Sequence, residues 1–567
     1  MNIWRVNMQN QQVSKEATPE TWRHLGGRGL IAKILVEEVP GTCDPLGPKN
    51  KLIFAPGLLV GHRLSSCDRI SVGTKSPLTG GVKEANAGGR TGLQLTYLGI
   101  KALIIESAPT GKDFFILYLS QDKIELLRAD ELVGKGVYET TALLTKAFGE
   151  KAAIALIGPG GEMKLSSAGI QNVDKDGVPS RINARGGVGA VMGSKGLKAI
   201  VIDSSTGSPP ELFNEGGFKE AQKEFQKALL AHPQTTVYSD YGTAAMTLMT
   251  NGFGAIPTRN FSSGQFEHAE KISGETMREM LLKRGGKSQT SHACMAGCII
   301  RCSNVFADES GKNEIVSPLE YETIGLMGSN LGIGDLDWIA RLNWEVNDLG
   351  LDSIEIGAAL GVAAEGGVFE FGNGKAALKL LIEIRSGSPL GRLIGSGAET
   401  TGKVLGVKRI PAVKGQAMSA YEPRVIKGTG VTYATSPQGA DHTCGLTIRA
   451  KVDHQDPMGQ AKLSQRAQVN MAGYDSLGAC IFAGFGFASA PQTIKALINT
   501  RYGLSVGDDI LHQLGKETLE MEREFNRLAG FTQADDRLPE WMYSEPVPPN
   551  NPIFDVPDED LDSVFVW

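Results

Sequence analysis

The 567-residue chain is 41% hydrophobic and 21% charged, and its 63 acidic residues outnumber 57 Lys and Arg to leave a formal charge of −6. That composition is ordinary for a water-soluble globular protein with a large core, and the charge argues against a nucleic-acid or anionic-membrane surface. No apolar run nears the roughly 18 residues of a membrane span, and "MNIWRVNMQNQQVSKE" lacks the apolar core of a signal peptide, so a cytoplasmic protein without membrane insertion is expected.

Residues 1–205 read as β-rich. Short apolar runs at 51–57 ("KLIFAPG"), 102–108 ("ALIIESA"), 114–120 ("FFILYLS"), 152–158 ("AAIALIG") and 197–203 ("LKAIVID") are separated by glycine-rich turns, as strands are. Helical stretches such as "VYETTALLTKAFG" (137–149) are few there. From about 206 the period changes. Apolar residues recur at helical spacing in 211–232, 335–350, 353–366, 375–387 and 507–530. A β-rich first part and a helical remainder predict an α+β fold rather than alternating βαβ units. The tail, "RLPEWMYSEPVPPNNPIFDVPDED" (537–560), is proline-rich and acidic, which predicts an extended segment over the surface. The 71 glycines predict many close backbone approaches. One short pattern recurs, "NDLGLD" at 347–352 and "DSLGAC" at 475–480.

Seven cysteines are too few for a disulfide scaffold, and in a reducing compartment a cluster of them reads as metal-binding or catalytic. Cys294, Cys298 and Cys302 in "HACMAGCIIRC" are such a cluster. On a continuous helix they would share one face, so they fit a buried core stripe as well. They also fit three ligands of a four-thiolate iron–sulfur site; zinc competes less well because its thiols usually come as C-x2-4-C pairs. Cys480, closing the recurrent pattern, is the candidate fourth thiol. Cys43, Cys67 and Cys444 are isolated.

These stretches, with "GGRGLIAKIL", "DPLGPKNKLIFAPG", "DRISVGTKSPLTGG", "EANAGG", "GGVGAVMGSKGLKAI", "LEYETIGLMGSNLGI" and "YEPRVIKGTGVTYATSPQGADH", together resemble the aldehyde:ferredoxin oxidoreductase family, tungsten enzymes with two pterin dithiolenes and one [4Fe–4S] cluster. The resemblance covers nearly the whole chain. It implies a first domain (1–205) of two sheets forming a saddle that binds the pterin phosphates. A helical domain (206–410) would carry three cluster cysteines and the first pterin motif, and a second (411–567) the other motif and the fourth cysteine. It implies Cys294, Cys298, Cys302 and Cys480 as cluster ligands. This chain departs from most relatives, which open the cluster C-x2-C-x3-C where the first gap here is three residues.

A pterin edge presents adjacent N–H donors that a carboxylate can accept side by side. The family opens each D-x-x-G-L motif with an aspartate for this. Asp475 fits, whereas the first motif opens with Asn347, leaving the contact to Asn347 or to Asp348 beside it; Leu351 and Ala479 hold the matching fifth positions. A helix ending in a glycine cap explains the same stretches structurally. The resemblance further places Arg69, Asn86, Gly88, Arg185 and Gly186 near the cofactor phosphates and a bridging Mg2+, where glycine lets backbone N–H groups approach an anion and arginine supplies a fork for phosphate. "GGRGL" (26–30) fits either a turn or a phosphate loop. "GGVGAVMG" lacks G-x-G-x-x-G spacing and follows a poor strand, "PSRINAR", which excludes a dinucleotide fingerprint.

Glu322 in "EYETIG" and His442 in "GADH" match the acid and histidine that the family sets beside the metal; Tyr433, His454 and Cys444 are further candidates for the cavity. The implied activity is oxidation of an aldehyde to a carboxylic acid with water as oxygen source, by a tungsten or molybdenum bis-pterin centre. Electrons would leave through the cluster to ferredoxin or a dedicated iron–sulfur subunit. Alternatives are the catalytic subunit of a reductive complex such as a benzoyl-CoA reductase, and a non-catalytic electron-transfer subunit. "RLNWEVNDLG" lacks the E-x-x-H iron site of some relatives, so an iron-bridged homodimer is not expected, and a homo- or hetero-oligomer stays open.

Overall fold

The computed structural model describes residues Met1–Trp567. The first 202 residues build two six-stranded mixed sheets. The first contains β1 (Asn2–Asn7), β2 (Gln12–Ala17), β3 (Leu52–Pro56), β4 (Ile70–Lys75), β5 (Val82–Ala87) and β6 (Ile100–Glu106). The second contains β7 (Phe115–Leu119), β8 (Ile124–Arg128), β9 (Ala153–Leu156), β10 (Ile170–Asn172), β11 (Arg181–Asn183) and β12 (Leu197–Ile202). The five apolar runs singled out in the sequence are β3, β6, β7, β9 and β12. β3, β9 and β12 are buried along their whole length, as strands covered on both faces must be. The edge strand β2, QVSKEA, is exposed and charged, which discourages pairing with another chain.

The two sheets repeat one topology. Their strand orders are β2-β1-β6-β3-β4-β5 and β8-β7-β12-β9-β10-β11, which coincide when six is subtracted from each number in the second. Each has a single parallel pair, β1 with β6 and β7 with β12. One apolar core of 27 buried residues draws on both sheets. The outer faces carry α1 (Gly27–Glu38) and α2 (Val137–Phe148), which follow the equivalent hairpins β1–β2 and β7–β8.

The remainder is helical, as expected. It includes α3 (Tyr321–Met327), α4 (Leu336–Leu349), α5 (Ser353–Glu365), α6 (Gln460–Leu477) and α7 (Ile510–Leu528). A 61-residue core runs through it from Ala244 to Val564, joined by Leu165, Ala168 and Ala190. Phe218, Phe225 and Leu229 of the helix Glu215–Ala231 pack instead with Phe487, Leu497 and Ile498 near the chain's end. The tail corrects an expectation. Met542, Val547, Phe554, Val556, Leu561 and Val564 are buried in the large core, so the prolines shape a segment whose apolar side chains plug into the helices. No single helix is long and apolar enough to cross a membrane.

The recurrent motifs dock on the repeated sheets in equivalent ways. α4 ends at Gly350 (φ 71°) and α6 at Gly478 (φ 78°), both left-handed caps. A Cβ on Gly158, just after β9, would run into the backbone of Leu349 and Gly350; one on Gly57, just after β3, would run into Leu477 and Gly478. Backbone packed on backbone leaves no side chain to move aside. Gly57→Ala therefore lowers the unfolding free energy by about 3 kcal/mol in chemical denaturation; an unchanged midpoint would contradict this docking.

Candidate active site between the sheets and the helical domains

The cysteines come together, but not on a helix. Residues 293–301 form an irregular loop between the strands Gln289–His292 and Ser303–Ala307, with left-handed backbone at Gly297 (φ 78°) and Arg301 (φ 52°). The core-stripe reading fails because the loop turns its thiols onto the first domain. The Cys298 sulfur lies 3.5 Å from Ser66 Oγ, and a Cβ on Gly88 would touch the Cys294 sulfur. Cys480, two residues beyond the α6 cap, hydrogen-bonds through its N–H to Ser66 O at 2.7 Å. Burial pushes the Cys302 and Cys480 thiols up, and Cys294 raises both further by its proximity. The Cys298 thiol is lowered instead, by a hydrogen bond from Cys294. Cys43 and Cys444 are buried elsewhere, whereas Cys67 is buried in the core against which Cys298 and Cys302 pack. The loop is tied to the first domain by His292, whose Nε2 is 2.8 Å from Asp176 Oδ2.

Beside the cysteines lies a cavity of about 360 Å³. The first domain supplies Arg69, Gly88 and Arg181; the helical part supplies Glu322, Asn347, Asp352 and His442; Cys294, Cys302 and Cys480 form one wall. Glu322 and His442, 120 positions apart in sequence, meet here with Nε2 of His442 3.3 Å from Oε1 of Glu322. Oε2 of Glu322 accepts the Ala420 N–H at 2.7 Å, while Oε1 has no aligned donor. Burial raises the Glu322 carboxyl above its ordinary value, against the pull of His442, the Ala420 N–H and Arg185. The ring of Tyr421 is 5.8 Å from that of His442.

The cofactor candidates divide into those facing the cavity and those supporting it. Arg69 lines it and is held by Asn86, whose Oδ1 and backbone O accept from the guanidinium, the second at 2.9 Å. Asn347 faces the cavity, whereas the Asp348 carboxylate accepts from Arg385 at 2.9 Å and from the Tyr138 N–H at 3.0 Å on the far side. Leu351 and Ala479 are fully packed in the two cores. Asp475 pairs with Arg28 at 3.2 Å, and Arg28 also forks onto Glu522. Burial and Glu84 raise the Asp475 carboxyl well above its ordinary value, against Arg28. Tyr433 and His454 do not line the cavity.

Arg185 is placed differently from a phosphate ligand. It donates to Asp352 (3.2 Å), Ser419 (3.2 Å), Ala440 O (2.6 Å) and Ala417 O, with Asp441 at 3.8 Å and Glu355 at 3.9 Å. These four hydrogen bonds use all but one of its five N–H groups. Burial alone would raise Asp441, but Lys83 and Arg185 hold it well below the usual carboxylate range. Lys83, 2.7 Å from Asp441, reaches it past Gly186 (φ 76°), where a Cβ would strike the Lys83 side chain.

Family sequence models for "aldehyde ferredoxin oxidoreductase, N-terminal domain" and "domains 2 & 3" match residues 3–204 and 220–564. The chain belongs to the aldehyde ferredoxin oxidoreductase family. It is an oxidoreductase of that family. It is 33% identical to a tungsten-containing aldehyde ferredoxin oxidoreductase of Pyrococcus horikoshii over 96% of this chain and 92% of that one. It is 28% identical to an aliphatic sulfonate oxidoreductase, WOR-like subunit, of Pyrococcus furiosus over 97% and 89%. A solved chain of the active-site complex BamBC of benzoyl coenzyme A reductase superposes with a TM-score of 0.80 at 19% identity, covering 100% of this chain and 93% of that one, a likeness of fold.

Within this aldehyde ferredoxin oxidoreductase fold, Arg181 escaped the sequence reading. Its side chain is 10% exposed, lies 4.0 Å from Glu320 and lines the cavity, with Nε and Nη2 buried and unpartnered. Two buried guanidinium nitrogens without a protein partner need an acceptor from the cavity, and an anion suits them. The signal was present in "PSRINAR", four residues before Arg185; that stretch forms the short strand β11, antiparallel to β10, and the exclusion of a parallel dinucleotide unit stands. Arg185→Met should abolish four hydrogen bonds and strip Asp352 and Glu355 of their basic partner, leaving Asp441 to Lys83 alone, lowering stability by about 3–5 kcal/mol; a variant as stable as the parent in denaturant would contradict the assignment of Arg185 as a structural hub.

Proposed function

We propose that the chain is a tungsten or molybdenum bis-pterin enzyme that oxidises an aldehyde to its carboxylic acid with water as oxygen source. The carrying observation is the Glu322–His442 pair, brought together in a cavity walled by three of the four candidate cluster thiols. The donor set supports the cofactors. Four soft thiol ligands on one loop and one helix end suit a [4Fe–4S] cluster. Arg69 and the orphaned Arg181 suit phosphate, Asn86 and Gly88 suit the phosphate and Mg2+ edge, and Asn347 and Asp475 suit the two pterins. Arg185, Gly186, Leu351 and Ala479 would support these contacts from behind.

When bound, the bis-pterin metal supplies two-electron redox chemistry, and the cluster passes electrons singly to a carrier. The balance is one aldehyde and one water giving one acid, two protons and two electrons. Glu322 takes a proton at its unpartnered Oε1. His442 donates from Nε2 to the substrate oxygen, fixing its orientation. Tyr321, Tyr421 and Leu446, lining the cavity, exclude bulk water. The electron carrier is ferredoxin, as in the name of the 33% identical relatives, or a dedicated iron–sulfur subunit. The non-catalytic reading is disfavoured by the retained acid–histidine pair, and the reductive one by the lower identity, 19%, of the benzoyl coenzyme A reductase chain.

The test is aldehyde-dependent viologen reduction in H2-18O, with label expected in the acid; no turnover of any aldehyde by metal-loaded protein would overturn the proposal. Glu322 must be ionised to act as base, so kcat/KM falls as pH drops through a carboxyl pKa raised above the ordinary value by burial. Glu322→Gln should lower kcat by at least about 100-fold and erase that acid limb. An unchanged profile would remove Glu322 from the chemistry.

A further inference from the structure

We infer that Ser419 is a positioning residue that sets the tautomer of His442, leaving the ring proton on Nε2, toward Glu322 and the cavity. The inference rests on the reading of Glu322 and His442 as the reacting pair. Ser419 is fully buried. Its Oγ lies 2.8 Å from Nδ1 of His442. The same oxygen receives the Nη1–H of Arg185 at 3.2 Å and the backbone N–H of His442 at 3.4 Å. A serine hydroxyl offers two acceptor sites and one proton, while a guanidinium and a backbone N–H can only donate. With both acceptor sites taken, the remaining contact uses the hydroxyl proton, and Ser419 donates to Nδ1.

A ring nitrogen that accepts a hydrogen bond carries no proton, so in the neutral imidazole the proton sits on the other nitrogen. That nitrogen, Nε2, is the one 3.3 Å from Oε1 of Glu322. The opposite tautomer would set a nitrogen lone pair against the carboxylate and offer the substrate no donor. Two neighbours could in principle rearrange this. Asp441 Oδ1 is 3.7 Å from Nδ1, but it already accepts from the Thr443 N–H at 3.0 Å and the Thr443 hydroxyl at 2.8 Å, and Oδ2 holds Lys83. The Tyr433 hydroxyl reaches toward Ser419 and has no aligned partner. Spending the serine proton there would force Nδ1–H to donate into an oxygen that already accepts twice. Arg185 stays charged at every accessible pH, so the constraint is permanent. A buried arginine thus dictates, through one hydroxyl, that the histidine nitrogen facing the cavity carries the ring proton.

The test is long-range proton–nitrogen correlation on the full-length chain carrying 15N-histidine, with the His442 signals assigned by their loss in His442→Gln. The expected result is a pyridine-type Nδ1 and a pyrrole-type Nε2; a pyrrole-type Nδ1 overturns the inference without any variant. In Ser419→Ala the two nitrogens should shift toward a tautomer mixture, and kcat should fall about tenfold with KM little changed. Ser419→Thr, which keeps the hydroxyl, should restore both readouts. An Ala variant with the parent's tautomer and kcat overturns the role of Ser419. The expected parent spectrum together with full activity in His442→Gln would keep the tautomer assignment and overturn the catalytic reading instead, so the two failures are separable.

Discussion

Arg185 enters the helical part of the molecule from the first domain and meets Asp352, Glu355 and Asp441, all buried. Burying such charges is costly unless each finds partners in good geometry. The arrangement satisfies the condition only when three segments remote in sequence are assembled: the turn after β11, the start of α5 and the stretch from Ala417 to Asp441, which includes the helix Lys427–Thr435. The three are therefore fixed together or not at all. Ser419, His442 and the cavity wall beside Glu322 take their positions from the same network. The environment also tunes titration; burial pushes the Glu355 carboxyl up to about 7 despite Arg185. Because its folded value exceeds its unfolded one, Glu355 contributes stability that is full below the ordinary carboxyl range and is lost as pH rises through about 7.

The repeated sheets explain why similar motifs appear twice in the helical part. Each sheet presents a glycine just beyond an equivalent strand, Gly57 or Gly158, and each accepts a left-handed helix cap, Gly478 or Gly350. The copies have diverged where chemistry differs. One motif ends in Cys480 at the thiol cluster, the other in Asp352 at the Arg185 network. Next to the first, Arg28 pairs with Asp475; next to the second, Tyr138 donates its backbone N–H to Asp348, and Asn347 is left to face the cavity.

Much of this was legible in the sequence because it depends on local pattern. Apolar runs of strand length marked β3, β6, β7, β9 and β12, and helical spacing marked the remainder. Asn347 and Asp348 could not be told apart from spacing alone, since it is Arg385 and the Tyr138 N–H, both remote in sequence, that turn Asp348 away. The helical core stripe stayed open as an alternative for the cysteines because i, i+4, i+8 spacing says nothing of the left-handed residues Gly297 and Arg301 that break a helix there. Arg181 and Arg185 look alike in sequence; one ends with orphaned nitrogens and the other with a partner on each nitrogen because of segments more than 100 residues away. The tail was misjudged because its charges and prolines outnumber the few apolar side chains that anchor it.

The claim on which the functional account stands is that the four thiols and the adjoining cavity hold an iron–sulfur cluster and a heavy-metal pterin centre side by side. The direct measurement is elemental analysis of protein purified without oxygen from cells supplied with tungsten and molybdenum. The account predicts about four irons and about one tungsten or molybdenum per chain. Folded protein that contained neither iron nor either heavier metal would contradict it.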